Sequence, residues 1–188
     1  MKVAAILLAA GRSTRFGIAD KLSESLNGLP LGLHAVRAMT PLPLIERFVV
    51  SGPTALQWPG FVVVENDAPE IGIARSIALG LSAAREKGAD AVLIALADMP
   101  FVPTEHFRRL LACHNGPHSI TASAASSRRM PPALFGAKWF TALEQLSGDH
   151  GARALLDRAA IVETIPNALF DIDRPQDLET ANNILKNL

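Results

Sequence analysis

The chain has 188 residues, 49% of them hydrophobic and 19% charged, and its 18 basic and 18 acidic side chains give a formal net charge of zero. This composition is that of a globular protein, and the balanced charge provides no overall field that would favour nucleic acid or an anionic membrane surface. Cys113 is the only cysteine and no apolar run reaches the length of about 18 residues that a membrane span needs, so we expect one cytoplasmic domain over residues 1–188 without disulfides or a membrane anchor.

Strand-like and helix-like segments alternate along the chain. The predicted strands are residues 3–10, 46–51, 61–65, 91–97, 120–124, 133–135 and 161–165. The predicted helices are residues 31–39, 74–87, 103–114, 139–146, 152–158 and 176–188. Residues 3–10 and 91–97 are continuously apolar, which is typical of strands buried on both faces of a parallel sheet. The alternation predicts a single-domain, three-layer α/β/α sandwich around a mostly parallel, Rossmann-like sheet.

The loop after the first predicted strand carries the strongest functional signal. Gly11 ends the apolar run, and Arg12, Arg15 and Lys21 follow within a short stretch. Successive backbone N–H groups in such a turn form an anion-binding nest, and arginine and lysine side chains add strong donors for phosphate oxygens. The loop therefore predicts a polyphosphate site. The alternative is a solvated basic turn.

Three other interpretations of this region are disfavoured. A Walker A motif fails because five residues separate Gly11 from Gly17 and Ile18 follows. The dinucleotide fingerprint fails because Ser13 stands where it needs glycine, which argues against an oxidoreductase. A secretory signal peptide fits the apolar start superficially, but the strand-helix pattern continues without a new beginning.

Asp98 directly follows the second apolar strand. Ligands of open α/β sheets bind outside the carboxyl ends of the strands, so the loop after Ala10 and the turn at Asp98 are expected to face one crevice. A carboxylate beside a triphosphate commonly holds Mg²⁺, which shares its ligands with the phosphates. Alternatively, Asp98 caps a turn or a helix.

Four segments of the chain occur in an order that is similar to a known family. They are residues 8–17 with Lys21, residues 96–100, residues 148–156 with the sequence Gly-Asp-His-Gly-Ala-Arg-Ala-Leu-Leu, and residues 171–178 with the sequence Asp-Ile-Asp-Arg-Pro-Gln-Asp-Leu. Together they resemble the molybdenum-cofactor nucleotidyltransferase family, and most closely its cytidylyltransferase branch. Residues 70–77 also resemble the glycine-serine segment with which that family contacts the nucleotide.

The resemblance implies the fold of the nucleotide-diphospho-sugar transferases and a Mg²⁺-dependent transfer of CMP from CTP to the terminal phosphate of molybdopterin, with release of pyrophosphate. It implies that Arg15, Lys21 and Asp98 are catalytic and that Asp98 and Asp173 hold the metal. It places the acceptor beside Asp149, Gly151 and Arg153. The implied nucleotide-binding residues are Leu8, Ala9, Ala10, Gly11, Arg12, Ser13, Lys21, Gly72, Ser76 and Asp98. The implied partners are small molecules, an NTP and a phosphorylated pterin, and a transient contact with a molybdoenzyme stays open.

The residues leave several alternatives open. Ala10 stands where guanylyltransferase members tend to carry a second glycine; its methyl group favours a pyrimidine, and GTP is the alternative. A nucleotide-binding domain that assists a molybdoenzyme without catalysis is a second alternative, which the presence of both Asp98 and Asp173 disfavours.

The sequence departs from the family's pattern at one place. Met130-Pro131 stands before Pro132, where the family often has Gly-His or Gly-x. Residues 119–129 fit either a mobile substrate loop or a surface loop.

Overall fold

The computed structural model describes residues 1–11, 16, 20–54, 56–126, 128–148 and 152–186, and a seven-stranded sheet forms its centre. The described strands are β1 (Val3–Ala9), β2 (Ser25–Leu26), β3 (Leu29–Pro30), β4 (Glu46–Ser51), β5 (Val62–Glu65), β6 (Ala91–Leu96), β7 (Ile120–Ala125), β8 (Arg128–Gly136) and β9 (Ala160–Glu163). The large sheet has the order β5-β4-β1-β6-β8-β7-β9, and β2 and β3 form a separate small hairpin. β8 is antiparallel to both of its neighbours, while the other pairs in this sheet are parallel.

Helices cover both faces of the sheet. They are α1 (Leu31–Met39), α2 (Ile73–Glu86), α3 (Thr104–Cys113), α4 (Phe140–Glu144), α5 (Arg153–Leu156) and α6 (Pro175–Lys186). Short 3₁₀ turns lie at Lys21–Ser23, Pro69–Ile71, Ala137–Trp139 and Pro166–Leu169. None of the helices in the described ranges is long and apolar enough to cross a membrane.

The alternation of side chains along β1 divides the core into two layers. Ala5 and Leu7 pack with the buried side chains of α1, α3 and α6. Ile6 and Leu8 point to the opposite face and pack with those of α2, α4 and α5. Every residue of β1 is buried, because helices lie against both sides of this central strand. The predicted three-layer α/β/α architecture is confirmed.

The second strand of the β7–β8 hairpin is longer than the sequence predicted. A strand was expected only at residues 133–135, whereas β8 spans Arg128–Gly136. The pairing shifts register between Ala122 and Ser123, so that Ser123 lies opposite Met130 and the prolines fall within the irregularity. Ser123 Oγ donates a hydrogen bond of 2.7 Å to the Pro132 carbonyl. In its described part, the segment 119–129 is therefore mostly strand rather than a loop of either kind that was considered.

Candidate active site

A cavity of about 370 Å³ opens at the carboxyl ends of β1 and β6. These strands are direct neighbours, because Leu8 pairs with Leu96 in parallel register, and the expected common crevice is confirmed. Pro69, Glu70, Leu22, Ile73 and Leu96 contribute to its wall. Eight of the residues predicted for nucleotide binding also line this cavity, which we call the nucleotide cavity after that prediction: Leu8, Ala9, Ala10, Gly11, Lys21, Gly72, Ser76 and Asp98.

Lys21 lies between two carboxylates at the edge of the cavity. Its Nζ donates a hydrogen bond of 2.8 Å to Asp98 Oδ2 and forms an ion pair of 3.5 Å with Asp173 Oδ1. Only 8% of the Lys21 side chain is exposed, against 24% for Asp98 and 44% for Asp173. A lysine so deeply buried requires compensating negative charge. Lys21 and Asp173 are thus in contact although 152 positions separate residue 21 from residue 173 in the sequence.

The second oxygen of Asp98 fits a metal ligand. Asp98 Oδ1 is buried and has no hydrogen-bond partner in the described part of the chain. Mg²⁺ is commonly bound through one or two carboxylates together with substrate phosphates, rather than by a complete protein cage. Among the described residues no cluster of three or more His, Cys, Asp or Glu side chains is arranged to hold a metal ion. The donor set of Asp98 and Asp173 therefore suits an ion shared with a triphosphate.

Asp171 adds a third carboxyl group to this region. Burial raises the pKa of Asp171, and the negative charges of Asp173 and Asp98 act in the same direction, while a backbone hydrogen bond and Lys21 oppose them. Its backbone neighbour Ile172 donates its N–H to the Asp98 carbonyl at 3.0 Å. This bond ties residues 171–173 to the end of β6. The Asp-Ile-Asp segment is thereby placed beside the strand from which Asp98 projects.

Asp20 orients the segment that carries Lys21. It is the N-cap of the 3₁₀ turn Lys21–Ser23, where its side chain accepts hydrogen bonds from the Leu22 N–H at 3.2 Å and the Ser23 hydroxyl at 2.8 Å. Thr54 Oγ1 donates a further bond to the same carboxylate. A capped turn restricts the backbone from which the Lys21 side chain extends.

The amino terminus of α2 forms the opposite wall. Gly72 precedes the helix with φ of 108°, a conformation that favours glycine. Ser76 is buried on the first turn, and its Oγ accepts a hydrogen bond of 2.9 Å from the Asn66 side-chain amide. Because this oxygen acts as an acceptor, the Ser76 hydroxyl hydrogen can be donated to a ligand. Backbone N–H groups at a helix amino terminus also favour anions.

The proposed acceptor residue Arg153 lies outside the nucleotide cavity. It lines a second cavity of about 190 Å³, which shares Leu8, Ile73 and Leu96 with the first. The two cavities are therefore neighbours on the α2 face of the sheet. Five other predicted positions lie outside the described residues: Arg12, Ser13 and Arg15 of the loop, and Asp149 and Gly151 of the acceptor segment.

Several residues of the site were missed by sequence reasoning. Asn66 follows β5 and is 1% exposed, yet no motif pointed to it. Asp177 accepts hydrogen bonds from the N–H groups of Asp173 at 2.9 Å and Arg174 at 2.7 Å, and so holds the segment at the start of α6. An aspartate in the first turn after a proline was the available signal for this cap.

Comparisons with known proteins identify the family of the domain. Residues 5–164 match the family model of the MobA-like NTP transferase domain. The purine catabolism protein PucB of Bacillus subtilis is 30% identical over 93% of this chain and 93% of its own length. A molybdenum cofactor guanylyltransferase of Cereibacter sphaeroides is 29% identical over 99% of this chain and 98% of its own.

A solved structure shares the fold. A nucleotidyl transferase from Methanothermobacter thermautotroptrophicus superposes with a TM-score of 0.82 at 24% identity, covering 100% of this chain and 99% of the other. The family match covers most of the chain, including β6 and residues 5–9 of β1. The chain therefore belongs to the MobA-like NTP transferase domain family of nucleotidyltransferases.

Proposed function

We propose that this protein is a Mg²⁺-dependent nucleotidyltransferase that transfers CMP from CTP to the terminal phosphate of molybdenum cofactor and releases pyrophosphate, with residues 1–188 as one transferase domain. The observation that carries the proposal is the Lys21–Asp98–Asp173 cluster at the carboxyl ends of β1 and β6. It provides one buried cation and two carboxylates at the place where a parallel sheet binds its ligand. The family membership supports the reaction class.

The transfer needs little chemistry from the protein beyond positioning and charge. An oxygen of the acceptor phosphate attacks the α-phosphorus, and the bond to the β-phosphate breaks with its electron pair leaving on pyrophosphate. The acceptor phosphate is already ionised, so no general base is required. Bound Mg²⁺ would neutralise the charge that develops on the phosphates.

The predicted site residues have separate tasks in this reaction. Lys21 offers at least one further N–H to the phosphates, because an ammonium group has three donors and two carboxylates face it. Asp98 and Asp173 would hold the metal. The Ser76 hydroxyl and the N-terminus of α2 line the wall of the nucleotide cavity, where they can donate to the nucleotide. The remaining contacts to the triphosphate come from Arg12, Ser13 and Arg15. The acceptor is bound by Asp149, Gly151 and Arg153.

GTP is the second candidate nucleotide. The Cereibacter sphaeroides relative is named a guanylyltransferase, whereas the Ala10 methyl group in this cavity favours the smaller base. An auxiliary role as a non-catalytic partner of a molybdoenzyme is disfavoured, because such a protein has no need to keep a metal-binding pair of carboxylates.

Pyrophosphate release tests the proposal directly. Purified protein is incubated with molybdopterin, Mg²⁺ and either CTP or GTP, and we expect release with CTP to exceed release with GTP. Asp98→Asn should lower the rate at least about 100-fold, since metal stabilisation of a transition state contributes several kcal/mol. Asp90→Asn is the matched control, because Asp90 lies at the other end of β6 and accepts a hydrogen bond from the Lys2 backbone.

The outcomes separate the hypotheses. Binding of a nucleotide without pyrophosphate release, with either base, would contradict the enzyme and favour the auxiliary role. Faster pyrophosphate release with GTP than with CTP would mean that GMP, and not CMP, is the transferred group. Full activity of Asp98→Asn would mean that Asp98 is not a ligand of the metal.

A further inference from the structure

Asn66 connects the end of β5 to the first turn of α2. Its backbone N–H donates to the Ser51 carbonyl at 2.9 Å, which extends the β4–β5 ladder by one residue. Its side chain is 1% exposed and forms hydrogen bonds with the side chains of Arg75 and Ser76 on α2. A buried amide needs partners for its oxygen and for its NH₂ group, and both are provided here. Asn66 is therefore held from two elements at once.

The neighbours of this amide determine which way round it lies. Asn66 Oδ1 accepts hydrogen bonds from the Ala68 N–H at 3.1 Å and from Arg75 Nε at 3.0 Å. Both of these groups can only donate, so the amide oxygen faces them and the NH₂ group faces Ser76. Arg75 is held in turn by an ion pair with Asp67. The direction of the hydrogen bond between Asn66 and Ser76 is thus set by the surrounding chain.

This direction decides what Ser76 can offer to a ligand. Asn66 Nδ2 donates to Ser76 Oγ at 2.9 Å, so the single hydroxyl hydrogen of Ser76 is not used in that bond. Ser76 belongs to the described lining of the nucleotide cavity, whereas Asn66 does not. An aspartate at position 66 would reverse the bond, because a carboxylate only accepts and would take the hydroxyl hydrogen itself. An amide at this position therefore leaves a donor on the cavity wall, and a carboxylate removes it.

We propose that Asn66 is a positioning residue, which keeps the Ser76 hydroxyl available as a hydrogen-bond donor to an acceptor atom of the nucleotide. This inference rests on the proposed transferase function and adds a residue that acts on the nucleotide only through Ser76. The first turn of α2 forms the wall opposite the cluster of Lys21, Asp98 and Asp173. We therefore expect the Ser76 contact to bind the substrate and the transition state equally, which lowers KM and leaves kcat unchanged.

A double-mutant comparison tests the direction of this hydrogen bond. Binding of CTP, and in parallel of GTP, is measured by calorimetry with Mg²⁺ and without an acceptor, and the nucleotide that binds more tightly is used. Ser76→Ala should weaken binding about fivefold in the native protein, the effect of one ordinary hydrogen bond. In the Asn66→Asp background, where the carboxylate already takes the hydroxyl hydrogen, Ser76→Ala should change the affinity by less than about twofold. Both proteins of this second pair carry the added charge, so its repulsion of the triphosphate cancels.

Further measurements separate positioning from a merely structural role. Urea unfolding should show that Asn66→Asp is folded, because a carboxylate still accepts from the Ala68 N–H and from Arg75 Nε. In the pyrophosphate assay, Asn66→Asp should raise the KM for the nucleotide and leave kcat unchanged. Asn115→Asp is the charge-matched control. Asn115 is exposed and precedes β7, which runs parallel to β6 and begins at the edge of the sheet away from the nucleotide cavity.

Asn66→Ala keeps the comparison possible if Asn66→Asp does not fold. It removes the donor that holds Ser76 Oγ, so the hydroxyl is no longer directed. The loss of affinity caused by Ser76→Ala should then be clearly smaller than the fivefold loss in the native protein.

The inference is overturned if Ser76→Ala has the same effect with and without Asn66, or no effect in the native protein. A lower kcat at unchanged KM in Asn66→Asp would also overturn it. Its failure is distinguishable from failure of the transferase proposal. Coupling of the two residues in nucleotide binding, without any pyrophosphate release, would support the positioning role and contradict the transferase. Normal pyrophosphate release without such coupling would support the transferase and contradict the positioning role, and a native protein that binds neither nucleotide would contradict both.

Discussion

Lys21 shows how strongly one residue of this site depends on its partners. Its ammonium group is almost buried and is held by Asp98 at 2.8 Å. Removal of one member of a buried charge pair leaves the other without compensation, which is far more costly than loss of an exposed pair. At the residue scale, then, stability and the proposed phosphate binding depend on the same three side chains, Lys21, Asp98 and Asp173.

Ala10 provides the residue-scale test of base selection. Ala10→Gly removes the methyl group that lines the nucleotide cavity, and we expect the preference for CTP over GTP, measured as the ratio of kcat/KM values, to fall about tenfold. The reason is that a larger purine gains space whereas the pyrimidine loses a contact. A ratio that stays constant in this variant would show that the base is selected elsewhere.

At the scale of secondary-structure elements, α6 is connected to the site through its first turn. Asp177→Ala removes the acceptor for the N–H groups of Asp173 and Arg174. We expect a loss of about 1 kcal/mol in the free energy of unfolding, as for other helix caps, and a several-fold lower rate of pyrophosphate release because Asp173 is less well placed. Glu179→Ala is the control on the same helix, where the carboxylate is exposed. Equal behaviour of the two variants in urea unfolding and in the assay would contradict this role of Asp177.

The packing of α3 on β7 contains a buried histidine. Ser123 gives its single hydroxyl hydrogen to the Pro132 carbonyl, so the contact of 2.7 Å between His106 Nε2 and Ser123 Oγ requires Nε2 to be the donor. Nδ1 is then the unprotonated nitrogen, and it has no partner among the described residues. Burial, assisted by the charge of Arg109, lowers the pKa of His106 to about 4 from 6.5.

This histidine predicts a pH dependence of stability. Below pH 6.5 the unfolded chain binds a proton that folded His106 does not bind until about pH 4, so the free energy of unfolding falls by up to about 1.4 kcal/mol for each pH unit in that interval. His106→Gln should remove this slope, as measured by urea unfolding between pH 7 and about pH 4. His118→Gln, at an exposed position, should keep it. An unchanged slope in His106→Gln would mean that His106 is protonated in the folded protein.

Most elements were predictable because they are encoded locally. The continuous apolar runs of β1 and β6 and the helix stop at Gly88, with φ of 70°, needed only neighbouring residues. The residues directly after those strands were predictable for the same reason. Asn66 and the second cavity, which Arg128 helps to line, could not be predicted from the sequence. Packing between segments that lie far apart in the chain brings their residues together. The prolines of β8 gave a local signal that the tertiary irregularity overrides.

At the scale of the whole molecule, the distance between α2 and the sheet sets the width of the site. Gly80 lies where α2 crosses the core, and a Cβ atom there would clash with Ile6 Cγ2 and lie 3.0 Å from Val50 Cγ2. The close approach brings the N-terminal turn of α2, with Gly72 and Ser76, against the strand ends. Gly80 therefore allows α2 to pack closely on the sheet, although glycine has a low helix propensity.

Gly80→Ala tests this close packing. Steric overlap in a filled core costs about 1–3 kcal/mol and outweighs the gain of about 1 kcal/mol in helix propensity, so we expect net destabilisation and weaker nucleotide binding. Ser82→Ala, on the exposed side of the same helix, should change neither quantity by much. Urea unfolding and nucleotide titration measure both effects, and a stabilised Gly80→Ala would show that α2 moves outward without loss.

The reversed direction of β8 has a consequence for how this enzyme family can diversify. Because β8 runs against β6, it begins at the edge of the sheet where β1 and β6 end. The described residues that line the nucleotide cavity all lie within the first hundred residues, whereas Arg128 and Arg129 of the second cavity belong to a hairpin encoded later. Under the proposed function, substitutions in that hairpin change the second cavity while the inherited nucleotide site stays intact, so the two cavities are free to evolve separately on one scaffold.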